Sequence, residues 1–137
     1  MPPNAARRIF IASRSFALMY ACAMTDVFLH NPRCSKSCAA LELVREAGIE
    51  LPVREYLQDP LTLEELRRIV QLLGVRPIAI ARRGEPQFET LGLSDATPDE
   101  EVLRALAEHP VLVERPIVVR GDRAVVGRPP ERVRELL

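Results

Sequence analysis

The spacing of apolar residues predicts a strand, a helix and a second strand in the first part of the chain. Residues 26–29, Asp-Val-Phe-Leu, form a short β-branched and aromatic run that is typical of a strand. Residues 39–47 are strong helix formers with a regularly spaced apolar face, and Gly48 follows where a helix often ends. Residues 49–56 alternate in polarity, which predicts a second strand parallel to the first.

The middle of the chain is predicted to be helical. Thr62 followed by Glu65 is the pattern of a capping box, and it predicts a helix over residues 63–73. A short turn of helix is expected within residues 76–84, and residues 85–93 are expected to be irregular or briefly helical.

The last third is predicted to hold a helix, a hairpin and a final helix. Thr97 as N-cap, followed by a proline, predicts a helix over residues 98–108. Residues 116–120 and 123–126 are β-branched runs joined by a Gly-Asp turn, the pattern of an antiparallel hairpin. An amphipathic helix is expected from residue 128 onward. Its apolar side chains are Val133, Leu136 and Leu137.

The predicted order is β-α-β, a helical insertion, and then β-β-α. This is the order of the thioredoxin-like fold with its middle enlarged by helices. A parallel pair and an antiparallel hairpin make a mixed four-stranded α/β sheet that helices can cover. A chain of 137 residues is large enough to bury one core, and we place a single domain at residues 24–137.

Residues 1–23 differ in composition from the rest of the chain. They contain three arginines and no acidic residue, and their apolar stretch is interrupted by one of those arginines. That stretch is too short and broken for a membrane-spanning helix. The segment has three interpretations: a signal peptide, an organelle-targeting or disordered tail, or sequence upstream of the true start. We favour a start at Met24, because the first predicted strand begins two residues later.

Charge and cysteine content narrow the functional classes. The chain has 19 basic and 19 acidic residues, and three of the basic ones lie in residues 1–23, so the remainder carries about −3. No basic field covers the domain, which argues against a general nucleic-acid binder. Three cysteines are an odd count without the density of a secreted scaffold, and they indicate reactive thiols in a reducing compartment. Two histidines without a Cys/His pair at ligand spacing predict no metal site.

The segment that joins the first predicted strand to its helix contains the candidate reactive residue. Cys34 lies between the strand end and the helix start, where the backbone amides of Ser35, Lys36 and Ser37 have no helical acceptors. These amides favour a thiolate over a thiol and would also hold an oxyanion. A thiolate beside an anion cradle is a nucleophile for a tetrahedral oxyanion or for a disulfide.

Neighbouring side chains are candidate partners of that thiol. His30 and Arg33 are candidate activators, by charge or by hydrogen bonding, and Lys36 adds a further positive charge. Cys38 lies one helical turn beyond Cys34 and is a candidate resolving thiol. Two cysteines on one helix would need distortion to form a disulfide, which counts against that role.

Residues 30–37, His-Asn-Pro-Arg-Cys-Ser-Lys-Ser, resemble the active-site loop of the glutaredoxin-coupled arsenate reductase (ArsC) family. The resemblance extends over nearly all of residues 26–137 and implies a thioredoxin-like fold with a helical insertion. Four further stretches carry it: residues 56–60, 89–93, 109–119 and 127–130.

The resemblance implies a role in arsenic detoxification by reduction of arsenate to arsenite. A single essential cysteine, here Cys34, attacks arsenate, glutathione displaces water from the adduct, and glutaredoxin resolves the mixed disulfide. Glutathione is then a co-substrate, and no tightly bound cofactor is expected. The expected partners are arsenate, glutathione and glutaredoxin, with no nucleic acid and no membrane, for a cytoplasmic monomer.

The family also holds its oxyanion with arginines. By resemblance these are Arg115, next to the proline of a thioredoxin-like cis-proline loop that faces the cysteine, and Arg82. A third position departs from the family, because Leu63 stands where relatives often have arginine. That contact is absent here, or it is supplied by another residue such as Arg67 or Arg33.

Other functions of the same fold remain open. Regulators of the Spx type bind RNA polymerase and typically carry Cys-x-x-Cys, whereas here Ser37 occupies the second cysteine position and Cys38 follows it. The incomplete arginine set also leaves room for a thiol oxidoreductase that acts on a different, glutathione-linked substrate. A degenerate family member retained as a binding module is the remaining alternative.

Overall fold

The computed structural model describes residues 25–137, so the predictions for residues 1–23 lie outside it. The strands are β1 (Val27–His30), β2 (Val53–Glu55), β3 (Ile117–Arg120) and β4 (Arg123–Val126). The α-helices are α1 (Ser35–Glu46), α2 (Leu63–Leu73), α3 (Pro86–Thr90) and α4 (Asp99–Glu108). Three 3-10 helices occupy Pro77–Ile80, Pro110–Leu112 and Pro130–Leu136. Within residues 25–137 no helix is long and apolar enough to cross a membrane.

The four strands form one mixed sheet in the order β2-β1-β3-β4. Strand β1 runs parallel to β2 and antiparallel to β3, and β3 pairs antiparallel with β4. The predicted fold class, a mixed four-stranded sheet with a helical insertion between its halves, is confirmed.

Side chains of the central strands alternate between two apolar cores, one on each face of the sheet. Val27 and Leu29 of β1 point into the larger core, together with residues of α2, α4 and the insertion. Phe28 points the other way, into a core formed with α1 and the C-terminal 3-10 helix. This alternation follows from the two-residue period of a strand. The sheet is therefore the middle of three layers, and β1 is buried along its whole length.

The predicted start and end of α2 are confirmed in detail. Thr62 Oγ1 accepts a hydrogen bond from the Glu65 amide at 3.1 Å, and a Glu65 carboxylate oxygen accepts one from the Thr62 amide at 2.9 Å. This capping box satisfies two amides that lack helical partners. Gly74 ends the helix at φ 70°, a conformation that glycine adopts without a steric penalty.

Two predicted boundaries were wrong. Strand β2 is three residues long rather than spanning residues 49–56. Within residues 25–137 it is an edge strand that pairs with β1 alone, and Pro52 has no amide hydrogen to donate. Thr97 is not the N-cap of α4, which begins at Asp99. Its hydroxyl instead accepts a hydrogen bond from the Ser94 amide at 2.9 Å, within the preceding turn.

The C-terminal element also differs from its prediction. Residues Pro130–Leu136 form a 3-10 helix, in which Val133 and Leu136 are buried as expected. Leu137 is 41% exposed, because it lies beyond the final turn of this helix.

The pairing of β1 with β3 determines where the loops meet. Leu29 pairs with Ile117, so the carboxyl end of β1 lies beside the amino end of β3. A second antiparallel contact forms where the Arg82 amide donates to Leu112 O at 2.7 Å and the Glu114 amide donates to Ile80 O at 2.8 Å. These contacts bring three segments to the same end of the sheet: the turn after β1, the residues around Arg82 and the residues that precede β3.

Gly127 packs closely against its neighbours near this end of the sheet. A Cβ atom placed there would lie 2.9 Å from Pro116 Cγ and 3.1 Å from Val133 Cγ1. We expect Gly127→Ala to destabilise the fold by about 1–3 kcal/mol, since neither ring nor branched side chain can move freely. Gly84→Ala is the matched control, because nothing lies within 4 Å of its Cβ position. Urea unfolding of both variants measures the difference, and equal stabilities would contradict the packing argument.

Candidate active site

Cys34 is placed by the turn between β1 and α1. Its amide donates to Asn31 O at 3.0 Å, and the Arg33 amide donates to Asn31 Oδ1 at 2.9 Å. Cys34 is the N-cap residue of α1, with extended backbone and no side-chain cap. Its sulfur therefore lies at the amino end of the helix, where backbone amides are free.

A buried hydrogen-bond network holds this turn in place. Ser37 Oγ accepts from the Asn31 amide at 3.1 Å and lies 2.7 Å from His30 Nδ1. Ser37 is completely buried, and His30 and Asn31 are nearly so. Buried polar groups that are fully paired fix a single arrangement of the chain around them. The network links the end of β1 to the first turn of α1.

The environment of Cys34 favours the thiolate. Burial raises the pKa of the thiol, but hydrogen bonds from the Arg115 side chain and from the Ser37 and Lys36 amides outweigh it. The net result is that the pKa of Cys34 lies below its ordinary value. A lowered pKa increases the fraction of nucleophilic thiolate near neutral pH.

Arg115 is the cation that faces this sulfur. Burial lowers the pKa of its guanidinium, whereas the hydrogen bond and charge of Cys34 raise it, and the net direction is upward. Its Nε is buried and has no hydrogen-bond partner within residues 25–137. A buried N–H without an acceptor is costly unless a ligand supplies one. Arg115 thus contacts the nucleophile and retains a donor for an anion, and the bond to Pro116 that follows it is cis.

Tyr56 also belongs to the site, although the sequence did not single it out. It is 1% exposed, and its hydroxyl donates a long hydrogen bond of 3.5 Å to Val113 O. Burial raises the pKa of Tyr56 to about 12, with Arg115 and Arg82 opposing the shift and Cys34 adding to it. The phenol is therefore neutral. Its position within the stretch that resembles the family, residues 56–60, was the available signal.

Arg82 lies at the same end of the sheet, but its guanidinium group is paired with carboxylates. Its Nη1 is 2.6 Å from a Glu85 carboxylate oxygen, and its Nε is 3.7 Å from Glu114 Oε1. Arg128 Nε is also 3.7 Å from Glu114 Oε1, and its Nη1 is 3.4 Å from Arg115 O. Sequence reasoning missed Glu85, Glu114 and Arg128. Glu114 and Arg128 were detectable in principle, because they lie within residues 109–119 and 127–130, which resemble the family.

The remaining predicted residues are arranged differently around Cys34. The side chains of Arg33, Ser35 and Lys36 are exposed, and Lys36 reaches Cys34 through its amide. His30 contacts Ser37, and burial lowers its pKa, so the ring is neutral at neutral pH. It therefore contributes by hydrogen bonding rather than by charge.

Cys38 and the positions linked to the missing arginine lie away from these contacts. The exposed Cys38 thiol donates to Pro32 O at 3.4 Å, and both Cys34 and Cys38 are free thiols. Leu63 packs against the larger apolar core. Arg67 pairs with Glu100 of α4, so it does not replace an arginine at position 63.

The Arg115 contact predicts how Cys34 will react. Arg115→Gln removes the positive charge that lowers the pKa of Cys34, so this pKa should rise. Alkylation of Cys34 by iodoacetamide near neutral pH should then slow about tenfold, as read by peptide mass spectrometry. Arg33→Gln is the matched control, because that side chain is exposed. Equal rates for the two variants would refute the role of Arg115.

Comparison with known proteins identifies the family of this chain. The sequence model of the ArsC family matches residues 29–136. The chain is 44% identical over 110 residues to a protein named arsenate reductase from Neisseria meningitidis, covering 79% of this chain and 94% of that protein. It is 42% identical over 110 residues to the Escherichia coli protein named uncharacterized protein YfgD, covering 79% and 92%.

A solved structure shows the same fold. The structure described as arsenate reductase from Vibrio cholerae superimposes with a TM-score of 0.78 at 44% identity, covering 84% of this chain and 99% of that one. The family match over residues 29–136 includes the turn with Cys34 and the segment with Arg115. This protein is a member of the ArsC family.

Proposed function

We propose that this protein reduces arsenate to arsenite with Cys34 as its nucleophile. The observation that carries the proposal is the buried Nε of Arg115, which has no partner within residues 25–137, on a guanidinium group whose interaction with Cys34 lowers the pKa of the thiol. A thiolate next to an unused cationic donor suits an electrophilic atom that is surrounded by negatively charged oxygen atoms. The names of the relatives in Neisseria meningitidis and Vibrio cholerae support arsenate as that electrophile.

The first step is attack of the Cys34 sulfur on arsenic. An S–As bond forms, an As–O bond breaks, and the departing oxygen takes up protons and leaves as water. Arg115 Nε is the buried donor available to the arsenate oxygens, and the amides of Lys36 and Ser37, which stabilise the thiolate, become available to them once the sulfur is bonded to arsenic. Donors already in place need no reorganisation as the charge redistributes in the transition state.

The second step supplies two electrons. Glutathione displaces a further water from the adduct, so that arsenic carries the sulfurs of Cys34 and glutathione. Both As–S bonds then break, the two sulfurs join as a disulfide, and an electron pair stays on arsenic, which leaves as arsenite. Glutaredoxin exchanges its thiol with this disulfide and returns Cys34 to the thiolate. Cys38 is not needed in this sequence of steps.

A regulator of the Spx type is less well supported. Ser37 occupies the position of the second cysteine in those proteins, and here it is completely buried and bonded to Asn31 and His30. A cysteine at that position would give up the network that orders the turn. The presence of Arg115 at the thiol likewise suits chemistry on an anion.

A thiol oxidoreductase that acts on a glutathione-linked substrate is the second candidate. The observation that favours it is the pairing of Arg82 with Glu85 and Glu114, together with Leu63 in place of an arginine. Both features reduce the positive charge available to arsenate. A disulfide needs the thiolate and has less need of the arginines.

The nucleophile assignment is tested with two matched variants. We expect Cys34→Ser to abolish arsenite formation from arsenate, glutathione and glutaredoxin, because a serine hydroxyl is not ionised at neutral pH. Cys38→Ser should keep activity within about twofold, since that thiol is exposed and bonded to Pro32 O. An equal loss in both variants would require a Cys34–Cys38 disulfide in place of the single-cysteine scheme.

The electron donor is tested by omission. Arsenite should form only when glutathione is present, and it should form over many turnovers only when glutaredoxin is present as well. Activity that persists without glutathione would overturn the proposed donor. No arsenite under any condition, with Cys34 still reactive and a glutathione-linked disulfide still reduced, would favour the second candidate.

A further inference from the structure

One carboxylate oxygen lies inside the arginine cluster beside Cys34. Glu114 Oε1 accepts a hydrogen bond from the Arg115 amide at 3.2 Å and lies 3.7 Å from the Nε atoms of both Arg82 and Arg128. The Glu114 side chain is 26% exposed, so water screens it only partly. This oxygen occupies a position that suits an anion.

The two long contacts leave the guanidinium groups able to bind something else. At 3.7 Å the attraction between Glu114 and these nitrogens is electrostatic, and the distance is too long for a good hydrogen bond. Arg82 has one short ion pair, with Glu85. Glu114 therefore neutralises charge at the cluster while leaving donors free.

The chain also fixes Glu114 in this position. It immediately precedes Arg115, its own amide donates to Ile80 O at 2.8 Å, and its carboxylate is bonded to the Arg115 amide. A substrate that binds at Cys34 and Arg115 cannot avoid the field of this carboxylate.

Charges in the ion-pair cluster around Glu114 balance when Cys34 is a thiolate. The cluster consists of the guanidinium groups of three arginines, two carboxylates and the Cys34 sulfur, and their formal charges sum to zero; the exposed side chains of Arg33 and Lys36 are not counted in it. The members of the cluster are Arg82, Arg115, Arg128, Glu85, Glu114 and Cys34. A doubly charged anion finds no excess of positive charge at such a site.

We propose that Glu114 determines the charge of the substrate at this site, so that singly charged tetrahedral oxyanions are accepted in preference to doubly charged ones. The inference rests on the oxyanion-binding part of the proposed function and not on arsenate turnover. Glu114 acts through the arginines, as a positioning and specificity-determining residue. The repulsion between Glu114 and a bound anion is proportional to the charge of that anion. Two anions of the same shape and different charge therefore distinguish an effect of charge from an effect of shape.

Sulfate and perchlorate provide the test, because both are tetrahedral and they differ in charge. Each anion is titrated against alkylation of Cys34 by iodoacetamide in the full chain, with the modified peptide measured by mass spectrometry. The rate without anion is the reference for each variant, since Glu114→Gln also changes the reactivity of the thiol. In the unaltered protein sulfate should protect no better than perchlorate, despite its double charge.

Glu114→Gln removes the charge and keeps the shape and the acceptor for the Arg115 amide. We expect the sulfate dissociation constant to fall about tenfold and the perchlorate constant about threefold, as the interaction is proportional to ligand charge. Glu114→Asp keeps the charge and should stay within about twofold of the unaltered protein. Glu100→Gln is the matched control, because Glu100 pairs with Arg67 between α2 and α4.

Several results would overturn the inference. These are equal changes for the two anions, no change in Glu114→Gln, the same change in Glu100→Gln, or an Asp variant that behaves like the Gln variant. Strong preference for sulfate in the unaltered protein would also refute it, even if Glu114→Gln failed to fold. Arsenite formation is measured separately, so failure of arsenate reduction and failure of this inference are distinguishable.

Discussion

The electrostatic interaction between the Arg115 guanidinium and the Cys34 sulfur is the one on which the rest of the site depends. It joins two segments that are about eighty residues apart in the chain, and it is possible because β1 and β3 are neighbours in the sheet. The pairing of Leu29 with Ile117 brings the end of one strand to the beginning of the other. The antiparallel order of these two strands therefore creates the contact between nucleophile and cation.

The surrounding groups adjust the strength of this contact. Amides of α1 add to the stabilisation of the thiolate, while burial opposes it. The buried network of Ser37, His30 and Asn31 holds the amides in place, and burial keeps His30 neutral. Glu114 limits the positive charge that the arginines present. Arg115 thus contributes both to the reactivity of the thiol and to the binding of an anion, and Glu114 adjusts the positive charge around it.

Much of the fold was predictable from local patterns. The capping box at Thr62 and the β-branched runs of β1 and β3 are local signals, and each acts within a few residues. The predicted boundaries were wrong where contacts outside the local pattern set them. The length of β2 is set by its pairing with β1, and the Thr97 hydroxyl accepts a hydrogen bond within a turn instead of capping a helix.

The site was only partly predictable for the same reason. Cys34 and the amides that follow it are adjacent in sequence, so their chemistry follows from position. Arg115 was found by its resemblance to a family motif. Tyr56, Glu114 and Arg128 come to the site through strand pairing and loop contacts, which leave no local pattern in the sequence. Arg33 was favoured because it is next to Cys34, but adjacency in a turn does not bring its exposed side chain to the sulfur.

A single-turnover experiment tests the central claim most directly. The full chain is mixed with arsenate and glutathione, without glutaredoxin, and its peptides are analysed by mass spectrometry under acidic quench. The account predicts one glutathione bound as a disulfide to Cys34, formed only when arsenate is present and in step with released arsenite. Glutathione on Cys38 instead, a Cys34–Cys38 disulfide, or arsenite without modification of Cys34 would contradict it.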